Sequence, residues 1–202
     1  MAHESWTHKL ARVCVRPLVG TSVTPNHLTS ARLVTGLAAC AAWAVGERGW
    51  DIWGGWLWLL SAFLDRADGE LARLQKSASP GGHLYDYYTD VIINGVVFIA
   101  IGFGQRHGDF GGWAIAAGVL AGVTVSAASV FSEMLERHLR AGQKAYEGRA
   151  GFDFDDILYV FTPLAWLGWL GPLLAGAAVG GPVFAAWTTA RLLQARRQNR
   201  GA

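Results

Sequence analysis

Cysteine is scarce in this chain. Its two copies, Cys14 and Cys40, are too few for a disulfide framework or a cysteine-based metal site, and they read as small hydrophobes. Charge is scarce as well: Asp, Glu, Lys and Arg make up 16% of 202 residues, and the net charge of +2 offers no basic field for nucleic acid. No internal repeat is evident. Residues 3–19 lack the clean apolar stretch of a cleavable signal peptide, because Lys9, Arg12 and Arg16 are spread through them. His83 and His107 adjoin loops without the partners a zinc site needs.

Apolar residues fill the space that charge leaves. Hydrophobic residues reach 52%, with 26 Gly and 10 Trp, and the mean hydropathy is +0.26. These values suit a polytopic helical membrane protein better than a soluble domain. The expected fold is all-α, with six transmembrane helices behind an N-terminal amphipathic helix. That first helix is read from Trp6, Leu10, Val13 and Cys14, which recur at helical spacing until Pro17, and it is expected to lie on the membrane surface.

Thr24-Pro25 marks a helix start, and the apolar run 28–46 is long enough to cross about 30 Å of hydrocarbon. A second span begins near Ile52 and continues as a polar helix to about Gln75. After a break at 77–82, a third span runs to about Phe103, and a fourth from about Trp113 to Val130, with a charged extension to Arg140. The last two spans start at Ile157 and divide at 168–172 or, alternatively, at Gly180-Gly181-Pro182. Fifteen of the seventeen Lys and Arg residues, Arg32 among them, fall on one side of this arrangement, leaving Arg48 and Arg106 on the other. That asymmetry puts both termini in the cytoplasm, with a basic rim that attracts anionic head groups. The tryptophans, including Trp50, Trp53, Trp113 and Trp169, mostly fall near span ends as interfacial anchors.

The most informative stretch is acidic. It reads Asp65-Arg-Ala-Asp68-Gly69-Glu-Leu-Ala72-Arg73, eight residues, Gly82, then Asp86 and Asp90. Steps of three and four put Asp65, Asp68, Gly69 and Ala72 on one helix face, and Asp86 with Asp90 on one face of the next. Four carboxylates in apolar surroundings repel one another and need a cation. A pair of hard divalent ions is the simplest occupant, and such ions usually handle phosphate. Gly69 and Ala72 leave room for a nucleotide or a neighbouring backbone, and Arg73 suits phosphate oxygens. A juxtamembrane charge network of Asp65 and Asp68 with Arg66, Arg73 or Lys76 is the bland alternative.

The complete pattern D-x-x-D-G-x-x-A-R, eight residues, G-x-x-x-D-x-x-x-D resembles the signature of the CDP-alcohol phosphotransferase family. The resemblance implies an integral membrane enzyme with a six-helix core and two Mg²⁺ or Mn²⁺ ions. Such enzymes cleave a CDP-linked donor and join its phosphoryl-linked group to an alcohol, releasing CMP. By resemblance, Asp65, Asp68 and Asp86 ligate the metals, and Asp90 completes the cluster and acts as general base. Gly69, Ala72 and Arg73 line the CDP site, and Gly82 packs closely at the start of the third span. Asn26 and Thr29 resemble a Pro-Asn-x-x-Thr stretch of the family that approaches the nucleotide; a plain helix cap explains them equally.

Weaker expectations complete the reading. Arg137, Arg140 and Lys144, with Arg149, form either an acceptor-phosphate site or a solvated rim. Asp153, Asp155 and Asp156 cap the fifth span or meet an amine-bearing head group. Residues 1–24 form the interfacial segment, 25–195 the catalytic transmembrane domain and 196–202 a basic tail. The expected reaction is phosphatidyl transfer from CDP-diacylglycerol to a small polar alcohol at the cytoplasmic face of a bacterial-type inner membrane, by a homodimer. Alternatives are transfer from CDP-choline or CDP-ethanolamine to diacylglycerol, an intramembrane prenyltransferase, and a cation transporter. Tyr85, Tyr87 and Tyr88 beside Asp86 depart from the small or aliphatic neighbours of several relatives, and the motif does not select the alcohol.

Overall fold

The structure, a computed structural model, describes residues 6–137 and 154–200, and every regular element among them is helical. The helices are α1 (Trp6–Val15), α2 (Pro25–Val45), α3 (Arg48–Gln75), α4 (Pro80–Gly104), α5 (Trp113–Glu136), α6 (Phe161–Leu167) and α7 (Leu170–Arg200). Local chemistry sets their ends. At the start of α2 the Thr24 hydroxyl accepts the His27 N–H while His27 Nδ1 accepts the Thr24 N–H, and Pro25 occupies the first helical position. Ser79 and Pro80 start α4 in the same way, with the Gly82 N–H donating to Ser79 Oγ at 3.1 Å. Gly46, at φ 79°, ends α2 in the left-handed conformation that glycine adopts without cost.

Among the described residues, four helical segments are long and apolar enough to cross a membrane: 25–45, 80–107, 113–136 and 170–198. α3 has the length, at 28 residues, but its second half carries the acidic motif. The apolar helical stretch Asp156–Leu167 is shorter than the other spans. α6 stops at Leu167, where Gly168 turns left-handed at φ 78°, so the chain breaks at Gly168 and Trp169, and Gly180-Gly181-Pro182 lies inside α7.

α2 packs against α3 and α4, α4 against α5, and α5 against α7; α1 lies along α3, and so does α6. The core between them holds Trp43, Trp58, Ile101, Phe161, Leu170 and Leu174. Trp43 and Trp58 are buried rather than interfacial, and their indole N–H groups donate to the carbonyls of Asp51 (3.1 Å) and Leu158 (2.8 Å). Trp50, Trp53, Trp113 and Trp169 are exposed, as their positions near helix ends led us to expect. α4 and α5 touch backbone to backbone: a Cβ on Gly118 would stand 2.5 Å from the Phe98 carbonyl oxygen. That close fit fixes the orientation of the helix carrying Asp86 and Asp90.

Candidate active site

The second half of α3 and the first turns of α4 face each other across the short connection at 76–79. Asp65, Asp86 and Asp90 each offer an oxygen, and these oxygens lie within 4.8 Å of one another. Asp68 belongs to the same face but turns elsewhere. Its Oδ2 accepts the Thr29 hydroxyl at 2.7 Å, with both side chains buried. Three hard carboxylates from two helices, with a fourth one turn away, are the donor set that suits Mg²⁺ or Mn²⁺.

A residue that the motif does not contain completes the cluster. Arg32, one turn beyond Thr29 on α2, is 3% exposed, and its Nη1 lies 2.7 Å from Asp65 Oδ1 and 2.8 Å from Asp86 Oδ1. Its Nη2 pairs with Asp90. The charge count assigned Arg32 to the cytoplasmic rim, and the structure instead turns it into the protein. The available signal was its place inside the apolar run 28–46: an arginine at membrane depth needs an acid, and the motif is the group of acids carried on the two helices that follow.

Two clefts meet at these carboxylates. The first, about 370 Å³, contains Asn26, Thr29, Gly69, Ala72 and Gly82. It is bordered by the starts of both α2 and α4, whose positive dipole ends favour anions. A Cβ on Gly69 would meet nothing within 4 Å, so this wall is open to a ligand, whereas one on Gly82 would lie 3.3 Å from Asn26 Oδ1. The second cleft, also about 370 Å³, includes His8, Arg73, Asp65, Asp90, Asn94 and Ser132. Asp68, Gly69 and Asp86 line both.

Arg73 reaches the second cleft with its guanidinium paired to Glu70. Glu70 is fully buried, and it also binds His8 Nδ1 (3.0 Å) and Arg12 Nε (2.8 Å). α1 is therefore tied to the acidic motif by ion pairs as well as by the packing of Val15 on Ala67 and Leu71. A second tie joins Thr7 Oγ1 to Asp156 Oδ1 at 2.9 Å, where Arg66 also approaches at 3.4 Å. The sequence reading missed His8 and Glu70, because residues 62 apart share no local pattern. Arg137 is exposed and pairs with Glu133 at 3.2 Å. Arg140, Lys144, Arg149 and Asp153 lie outside the described residues.

Helices long and apolar enough to span a membrane thus hold a carboxylate cluster where two clefts meet. Residues 22–189 match the family model of CDP-alcohol phosphatidyltransferase, and the chain belongs to that family. The assignment displaces the prenyltransferase and transporter alternatives. The fold is similar to the crystal structure of Mycobacterium tuberculosis phosphatidylinositol phosphate synthase with CDP-DAG bound. The TM-score is 0.61 at 19% identity, over 95% of this chain and 92% of that one. No curated protein matches the sequence.

Proposed function

We propose that this enzyme transfers a phosphatidyl group from CDP-diacylglycerol to a small polar alcohol and releases CMP. The observation that carries the reading is the meeting of two clefts at one set of carboxylates, since a two-substrate transfer needs a donor and an acceptor at the same phosphorus. Family membership and the CDP-DAG bound to the structural neighbour support a CDP-lipid donor.

In this reading the nucleotide takes the first cleft, against Asn26, Gly69, Ala72 and Gly82, with its pyrophosphate toward the starts of α2 and α4. Arg73, held by Glu70, reaches phosphate oxygens from the other side. The alcohol enters the second cleft and meets Asp90, which takes its proton as the hydroxyl oxygen bonds to the lipid-linked phosphorus. The phosphorus–oxygen bond to CMP breaks, and CMP leaves with that electron pair. Asp65, Asp68, Asp86 and Asp90 would hold two Mg²⁺ or Mn²⁺ ions, whose chemistry there is to offset charge on the phosphoryl oxygens and the departing phosphate. Arg137, Arg140 and Lys144 remain the candidates for a phosphate on the acceptor.

The same reading has six spans, counting α3 and α6, in residues 25–195, with 196–202 as a basic tail. The exposed Trp6, Leu10 and Val13 of α1 support the reading of residues 1–24 as an interfacial segment. The charge asymmetry supports a cytoplasmic active site in a bacterial-type inner membrane, and a homodimer is the assembly the family resemblance implies.

The test is direct. Purified enzyme is incubated with CDP-diacylglycerol, Mg²⁺ or Mn²⁺, and a panel of glycerol 3-phosphate, inositol phosphate, inositol, serine and choline. CMP release with a matching phospholipid from one alcohol is expected; CMP release from CDP-choline with diacylglycerol alone would reverse donor and acceptor.

A further inference from the structure

Arg32 occupies the place where a bridging cation belongs. Its Nη1 spans Asp65 on α3 and Asp86 on α4 at 2.7 and 2.8 Å, and its Nη2 takes Asp90, so one guanidinium serves the three carboxylates whose oxygens converge. The backbone behind it is fixed, because the Ser61 hydroxyl donates to the Arg32 carbonyl at 3.1 Å in the interior. Any displacement of the guanidinium therefore falls to the side chain. On a helix it leans toward the N-terminal end, and the N-terminal end of α2 borders the first cleft.

We propose that Arg32 is a tethered counter-cation that competes with divalent ions for Asp65, Asp86 and Asp90. In the metal-free protein it keeps three mutually repelling carboxylates converged, so the site does not splay when empty of ions. Metal entry requires the guanidinium to leave, because two cations cannot share oxygens packed this closely without strong repulsion. Arg32 is thus a positioning residue that sets how tightly and in what state the site takes metal. The inference rests on the metal-binding reading above, and the experiment separates the two.

The full chain is purified metal-free in nanodiscs and titrated with Mn²⁺, with free Mn²⁺ followed by electron paramagnetic resonance and thermal unfolding recorded in parallel. Arg32→Met, close in shape but neutral, is expected to bind Mn²⁺ at least tenfold more tightly than the wild type. It is also expected to unfold at a lower temperature without metal and to gain more from Mn²⁺. Arg32→Lys, which keeps the charge but reaches fewer carboxylates at once, is expected to fall between the two, and it decides the matter alone if the methionine variant does not fold. Wild-type binding with equal or weaker Mn²⁺ affinity in the variants would overturn this inference and leave the metal reading standing. No Mn²⁺ binding by either wild type or variants would overturn both.

Discussion

The Thr29 hydroxyl donates to Asp68 at 2.7 Å with both side chains buried, so a residue on α2 sets the direction of a carboxylate on α3. Without it, Asp68 is free to turn, and a hard carboxylate in this interior loses a charge-assisted hydrogen bond. Such bonds contribute about 1.5–3 kcal/mol, or roughly 10–160-fold if the loss is felt fully in the transition state. Thr29→Val is therefore expected to lower kcat/KM into that range, with Thr29→Ser close to wild type. Equal activity in the valine and serine variants would show that Asp68 orients without this bond.

Asp90 lines the second cleft and is one of the three converged carboxylates, on the side where the proposed reaction takes its alcohol. Acting as the proposed general base, it would contribute on the order of 10²–10⁴-fold. Asp90→Asn should cost at least that much in turnover while CDP binding, measured calorimetrically, stays substantially intact. Near-normal turnover would remove Asp90 from the proton transfer.

Chelation tests the metals. Excess EDTA should stop CMP release, and added Mg²⁺ or Mn²⁺ should restore it, because without the ions nothing offsets the charge on the phosphoryl oxygens and the departing phosphate. Turnover indifferent to EDTA would exclude a divalent ion from the reaction.

Glu70 ties α1 to the motif through His8, Arg12 and Arg73 while its own carboxylate is fully buried. Glu70→Ala leaves those partners without their acid. The arginine partners are 38% and 60% exposed, so water recovers part of the loss, and a cost of about 1–2 kcal/mol is expected rather than that of a wholly buried pair. The readouts are a lower melting temperature and faster tryptic cleavage at Lys9 and Arg12. A second consequence is a raised KM for the donor, because Arg73 loses its support. Unchanged protease resistance would mean that packing alone holds α1.

The α4–α5 contact makes a purely structural prediction. Gly118→Leu drives a side chain into the Phe98 carbonyl and should destabilise by about 1–3 kcal/mol or more, with loss of activity as Asp86 and Asp90 shift. Gly176→Leu on α7, where a Cβ meets nothing within 4 Å, should stay within about 0.5 kcal/mol of wild type. Equal melting temperatures for the two would show that α4 and α5 separate without cost.

Much of this protein follows from chemistry acting over one or two helical turns. Thr24-Pro25 and Ser79-Pro80 start helices because their hydroxyls accept the first free N–H groups, and Gly46 and Gly168 stop them because glycine tolerates positive φ. The helical period likewise puts Asp65 with Asp68, and Asp86 with Asp90, on single faces before any packing is known. The division between the last two helices was not legible in the same way. Both Gly168–Pro172 and Gly180–Pro182 contain breaking residues, and α7 runs through the second because Pro182 sits inside a helix held on one side by α5.

Sequence alone thus determined the helical membrane class and the spacing of the acids, since both depend on short-range backbone geometry and on the cost of charge among apolar residues. Tertiary packing decided everything that crosses between helices. Arg32 meets Asp90 across 58 residues, Glu70 meets His8 across 62, and Asp68 turns to Thr29 instead of to its own neighbours. No periodicity encodes those contacts, because they depend on how closely and at what angle α2, α3 and α4 approach, and that is set by the whole core at once.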